Sequence, residues 1–163
     1  MKKTSRLARC AIIAAAYAVL TLAFPVLSYG PIQVRISEAL CILPFFMGEA
    51  VVGLTVGCFV ANLIGMSFGV TLPWDVLVGT VATLLAAVMT RKIRNKWLLP
   101  LPTVLVNAVL VGAMLTYVIL PGAESAPLIY NILTVGAGEI IACYALGIPL
   151  FSIVEKAIGK NAK

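Results

Sequence analysis

The sequence predicts an all-α integral membrane protein, a bundle of six transmembrane helices with both termini cytoplasmic. Three observations predict it. The 163 residues are 62% hydrophobic and only 11% charged, whereas a soluble domain carries about a quarter charged residues. Apolar runs recur along the whole chain, at 7–27, 34–47, 50–66, 74–89, 98–120 and 128–154. Eleven of the twelve basic residues fall in three short segments: Lys2, Lys3, Arg6 and Arg9; Arg91, Lys92, Arg94 and Lys96; Lys156, Lys160 and Lys163. Such clusters attract nucleic acid or anionic lipid in many proteins, but beside apolar runs they mark cytoplasmic loops. No nucleic-acid partner is expected; membrane lipid is.

A bilayer core of ~30 Å needs ~20 helical residues at ~1.5 Å each. The first, fifth and sixth runs meet this easily, and the second to fourth are short. Residues 39–66 read as one span would be ~42 Å long, so a break at Gly48-Glu49 is expected. Parity supports it, because four spans before residue 91 put all three basic segments on one side. The basic, then apolar, N-terminus resembles a signal peptide, but its run exceeds an h-region and is read as a retained first helix. Residues 1–163 form a single domain, with outer loops at 28–35, 67–73 and 121–127, rich in Gly and Pro.

Small residues recur at packing intervals. Gly53, Gly57, Ala61 and Gly65 make a small-xxx-small ridge suited to internal packing. The first helix carries Ala8, Ala11, Ala14, Ala15 and Ala18, a face broad enough to serve another subunit.

An ionisable group inside a span costs ~2.5–3.5 kcal/mol, so each needs a reason. Glu139 lies deep in the sixth run beside Gly136, Ala137 and Gly138; it is a ligand anchor or a hydrogen-bonded packing residue, and the anchor is the stronger reading. Glu38 follows Arg35, the lone basic residue on the outer side, at i,i+3; an interfacial ion pair and a ligand role are equally open. Asp75 after Pro73-Trp74 is a helix-start signal, and Trp74 an interfacial anchor. Asn62, Asn107 and Asn131 bond other helices singly; converging with carboxylates, they would make a polar pocket. Glu49 and Glu124 are read as solvated loop charges. Cys10, Cys41, Cys58 and Cys143 lack metal or disulfide spacing and are read as inert buried thiols.

Several chemistries are excluded. There is no histidine, so no Ser-His-Asp triad and no His-ligated metal. No P-loop occurs, so the chain binds no ATP through one. A small binding bundle without its own energy source implies partner subunits.

The segments Tyr29-Gly-Pro-Ile-Gln-Val-Arg-Ile-Ser-Glu-Ala-Leu, Pro73-Trp-Asp-Val-Leu-Val-Gly-Thr and Gly138-Glu-Ile-Ile resemble the QueT family, the queuosine-precursor-specific substrate-binding S components of energy-coupling factor (ECF) transporters. The likeness covers nearly the whole chain. It implies an outward-opening pocket for a deazaguanine, in the aminomethyl form, a membrane T component and two ATPase subunits. No cofactor is expected in this chain; ATP is used by the partner ATPases. The resemblance also implies AxxxA-like contacts to the T component, which Ala11–Ala15 and Ala14–Ala18 match by spacing.

The ligand's chemistry can be set against the residues. A guanine-like edge presents an N–H and an amino group, which one carboxylate accepts as a fork. The exocyclic carbonyl needs a donor, and a cationic aminomethyl group a second carboxylate. Glu139, Glu38, Asn107, Gln33 and Arg35 can supply this set, with Asn62 nearby and Trp74 or Tyr130 to stack on the ring. The alternatives are an S component for another vitamin-like ligand, an intramembrane enzyme using Glu139 and Glu38 as an acid/base pair, and an oligomeric assembly protein.

Overall fold

The computed structural model describes residues 2–29, 33–119 and 127–161. Parts of the loops 28–35 and 121–127, with Glu124 and Lys163, lie outside the described residues. The described residues are mostly helical, without strands, and besides a single turn at Pro25–Ser28 form six helical rods: α1 (Lys2–Ala23), α2 (Ile36–Phe46), α3 (Glu49–Ser67), α4 (Asp75–Thr90), α5 (Lys96–Val118) and α6 (Leu128–Ile158). Rods α1, α3, α5 and α6 are long and apolar enough to cross a membrane; α2 and α4 are shorter. The exposed surface is studded with Leu7, Ile12, Val19, Val52, Leu105 and Ile129, as a lipid-facing surface requires.

The local signals explain the boundaries. Pro73 opens the α4 rod, and Asp75 reaches back to accept from the Leu72 N–H at 2.7 Å, half of a capping box. Asn95 accepts from Trp97 N at 3.1 Å ahead of α5. α3 ends in a Schellman turn: Gly69 has φ +72, Gly69 N bonds Met66 O and Val70 N bonds Gly65 O. The expected break at Gly48-Glu49 is present, with Met47 extended (φ −147, ψ 128) between α2 and α3.

The second apolar run departs from a regular span. Seven residues, Ile36–Ile42, are 3-10 helix and four, Leu43–Phe46, are α-helix. Pro44 has no N–H to offer the Leu40 carbonyl, which instead accepts from Leu43 N in the tighter pattern. At ~2.0 Å per 3-10 residue and ~1.5 Å per α residue, α2 is about 20 Å long. Ser37, Glu38, Ala39, Cys41, Ile42, Leu43 and Pro44 are all buried. α2 touches α1, α3, α4 and α6, while α1–α3, α3–α4, α4–α5 and α5–α6 pack as neighbours around it. It is a buried plug, mostly apolar, with Ser37 and Glu38 as its buried polar groups.

The glycine ridge of α3 packs inside the bundle as its spacing predicts. A Cβ on Gly53 would meet Ile13 at 2.9 Å, and one on Gly57 would meet Tyr17 Cβ at 2.7 Å and Ala14 O at 2.8 Å. The alanines of α1 therefore divide. Ala14 and Ala18 lie against the bundle, whereas Ala11 and Ala15 are exposed. Ala14–Ala18 is an internal packing pair, and only Ala11–Ala15 is free for another subunit.

The basic segments gather at one end. Arg9 bonds Glu49 at 2.8 Å and Arg6 lies 3.6 Å from it, so Glu49 is ion-paired rather than merely solvated. The Arg91 guanidinium covers Gly48. Phe151 of α6 stacks on Phe45 and Phe46 beside the same turn, and Lys156 lies further along α6.

Candidate functional site

Buried apolar side chains form two clusters. The larger includes Ile13, Leu54, Val104, Cys143 and Phe151; the smaller joins Val111, Met114 and Val135. On α5, Asn107 lies one turn from Val104 and one turn from Val111. On α6, Glu139 lies one turn from Val135 and one from Cys143. A polar layer thus separates the two apolar clusters.

In that layer the Asn107 amide donates to Glu139 Oε1 at 2.8 Å. The Cys143 thiol lies 3.5 Å from Glu139 Oε2 and 3.6 Å from the Glu38 backbone carbonyl, tying α6 to α2. A π-helical stretch, Ile141–Leu146, follows Glu139 and contains that thiol. Glu38 accepts from the Tyr17 hydroxyl of α1. Beside it, Thr21 and Ser37 hydroxyls are 2.7 Å apart, a second α1–α2 link. Glu38, Glu139, Asn107 and Arg35 expose 2%, 3%, 3% and 6% of their surface, so all are shielded from water. Cys143 is therefore not an isolated inert thiol but the link between two carboxylate-bearing segments.

Of the two roles left open for Arg35 and Glu38, the ion pair is not formed: among the described residues, ion pairs within 4 Å involve only Glu49. The Arg35 guanidinium stands over the Tyr29 ring at 5.3 Å, and its Nε is buried without a hydrogen-bond partner among the described residues. Gln33 is buried, and its backbone rests on Gly138, where any Cβ would collide with its carbonyl. This close approach fixes the Gln33–Arg35 segment next to Glu139.

A cavity of about 190 Å³ opens at the loop end opposite the basic segments, lined by Tyr29, Gln33, Gly69, Thr71, Asp75 and Leu115. A second of about 300 Å³ is lined by Pro25, Val26, Tyr29 and Val70. Tyr29 and Val70 wall both. Each is at or below the ~300 Å³ lower bound of small-molecule pockets. Asn62 stands behind the first, donating to Asp75 O at 3.0 Å and accepting from the Tyr29 hydroxyl at 3.3 Å. Asn131 is engaged elsewhere, donating to Thr116 Oγ1 at 2.8 Å.

The structure therefore brings Glu139, Glu38, Arg35, Asn107 and Gln33 together and sets Asn62 behind the cavity wall. It does not bring the expected aromatics there. Trp74 is 50% exposed and Tyr130 57% exposed, on the outer surface. The aromatics at the site are Tyr29 and Tyr17, which the sequence reading did not select. Tyr17 had a signal: it places a hydroxyl midway along an otherwise apolar, alanine-rich helix.

A family model described as QueT transporter matches residues 7–156. The chain belongs to the QueT transporter family. The QueT family is one of transporters and not of enzymes, and its apolar helices make this chain a membrane protein. A curated relative, the "Queuosine precursor transporter QueT" of Lactococcus lactis subsp. cremoris (strain MG1363), is 37% identical over 84 residues. That match spans about half of each chain, 50% of this one and 47% of the relative. No solved structure matches.

Proposed function

We propose that this chain is the substrate-binding S component of an ECF-type uptake transporter in the cell membrane, crossing it six times with both termini cytoplasmic. Its ligand is a queuosine precursor, the aminomethyl deazaguanine, taken from outside. A T component and two ATPases complete the transporter and supply ATP hydrolysis. The observation that carries this reading is the polar layer: two buried carboxylates, Glu38 and Glu139, whose segments are tied by the Cys143 thiol between the Glu38 backbone carbonyl and the Glu139 carboxylate, beside an arginine whose Nε has no partner among the described residues.

The donor–acceptor balance fits a deazaguanine. Glu139 accepts the ring N–H and amino group as a charge-assisted fork. Arg35 donates its free N–H to the exocyclic carbonyl. Glu38 faces the cationic aminomethyl group. Gln33 and Asn107 hold the remaining polar atoms, and Tyr29 closes over the ring. Burying four polar groups against one another is costly unless a ligand completes their hydrogen bonds.

Calorimetry on the purified chain in detergent tests the reading. The aminomethyl deazaguanine binds at one site without turnover, and guanine, lacking the aminomethyl group, binds more weakly. A folded chain that binds no deazaguanine overturns the ligand assignment. Cysteine labelling tests the crossings: a cysteine at Arg94 reacts from the cytoplasmic side only, and reaction from outside overturns six spans.

A further inference from the structure

We infer that the basic end of the bundle holds a site for an anionic phospholipid, with its phosphate at Arg91 and Lys92 and its acyl chains along α3 and α4. Two clefts meet there. One, about 360 Å³, is lined by Arg6, Cys10, Gly48, Glu49, Val52 and Arg91. The other, about 450 Å³, is lined by Gly48, Val51, Val52, Val88, Arg91 and Lys92. Gly48, Val52 and Arg91 belong to both.

The charges are unequally spent. Glu49 is occupied by Arg9 at 2.8 Å and Arg6 at 3.6 Å. Arg91 and Lys92 are exposed and form no ion pair among the described residues. The Arg91 guanidinium is laid over Gly48, where a Cβ would come within 2.9 Å of its central carbon. The glycine thus makes the seat that holds this cation at the mouth of both clefts.

Below the cations the walls are apolar and open. Val52 is 55% exposed and Val88 41%. One turn deeper, Val56 on α3 and Leu84 and Leu85 on α4 continue the exposed apolar faces. A paired cationic rim above two apolar helix faces is complementary to one amphiphile, an anionic headgroup with hydrocarbon tails, and basic recesses between membrane helices bind such headgroups. A soluble protein partner would leave the lower apolar faces uncovered, since they continue down α3 and α4. The site is remote from the polar layer and does not rest on the ligand assignment above.

Native mass spectrometry of the purified chain with phosphatidylglycerol and phosphatidylcholine tests it. The unaltered chain retains phosphatidylglycerol preferentially. The double variant Arg91→Gln, Lys92→Gln loses about tenfold or more of that retention, because each cation near a headgroup contributes several-fold in affinity. Gly48→Leu, which fills the seat without removing charge, loses it as well. Arg94→Gln, Lys96→Gln has the same net charge as the first variant but leaves both clefts intact, and retains lipid normally. Thermal melts certify that each variant is folded. Equal retention of both lipids, equal loss in the Arg94/Lys96 variant, or full retention by a folded Arg91/Lys92 variant overturns the site. Displacement of the Arg91/Lys92 rim's lipid by soluble glycerol phosphate at equal concentration also overturns it, since the acyl chains would then contribute nothing. Retention unchanged in Arg91/Lys92 but a lost T-component contact assigns the rim to a protein partner instead.

Discussion

The Asn107 side-chain amide donates 2.8 Å to Oε1 of Glu139, across a sequence separation of 32 residues and between α5 and α6. Nearby, Gly112 lets the Ile132 backbone approach, so a small residue helps bring the two helices close enough for this bond. The Glu139 carboxylate therefore has a fixed position before any ligand arrives. Glu139→Gln keeps the Asn107 bond, because a glutamine oxygen accepts equally well, but loses the charge and presents a donor to the ligand's donors. Ligand affinity should fall by ~2–5 kcal/mol, about thirty-fold at the least, with little loss of thermal stability. Calorimetry paired with a melt separates the two effects, and unchanged affinity in a folded variant removes Glu139 from the site.

Tyr17→Phe probes the other carboxylate. The ring keeps its packing against Gly57, while Glu38 loses a hydroxyl donor in a water-excluded layer. Hydrogen bonds to charged groups contribute ~1.5–3 kcal/mol, so the melting temperature should drop by several degrees. Adding Glu38→Gln should recover part of that loss, since an amide is cheaper to leave underbonded than a carboxylate. Strict additivity of the two substitutions would show that the Tyr17 hydroxyl acts elsewhere.

Much of this arrangement was legible in the sequence because membrane physics is coarse. The apolar runs gave the long rods, and Met47-Gly48-Glu49 gave the break. Glu139, Glu38, Asn107 and Arg35 stood out because ionisable and amide groups are rare in such surroundings. The misses have a common cause. Periodicity measures apolar content and not which face meets protein or lipid, so Trp74 and Tyr29 looked alike. Likewise Ala14 and Ala15 differ by one position, yet one touches Gly57 and the other faces outward. The 3-10 course of α2 depends on Pro44 and on burial from four sides, and no local pattern reveals the second of these.

That difference between neighbouring alanines makes a sharp comparison. Ala15→Leu adds bulk to an exposed position, so stability and ligand affinity should hold while co-purification with the T component falls. Ala14→Leu adds bulk where the Ala14 backbone already lies 2.8 Å from the Cβ site of Gly57. Overpacking there typically costs ~1–3 kcal/mol, seen as a lowered melting temperature of the isolated chain. Matching losses of stability in both variants would place Ala15 inside the bundle and leave α1 without a free face.

Gly138 and Gly136 offer a second matched pair on one helix. A Cβ at Gly138 would stand 2.7 Å from the carbonyl carbon of Gln33 and closer still to its oxygen, and backbone atoms cannot swing aside. Gly138→Ala must therefore push the Gln33–Arg35 segment off α6, moving both of its candidate ligand groups away from Glu139. A Cβ at Gly136 meets only Ala108 Cβ, at 3.4 Å, an ordinary contact. Gly136→Ala should be nearly neutral, or slightly stabilising through the better helix propensity of alanine. Gly138→Ala should weaken ligand binding at least tenfold, beyond what its cost of ~1–3 kcal/mol in overpacking does to the melt. Since both variants add one methyl group to α6 but only Gly138→Ala meets the Gln33 backbone, a difference in affinity reports on that segment. Equal affinities, with both proteins folded, would mean that the segment's seat on Gly138 does not position the site.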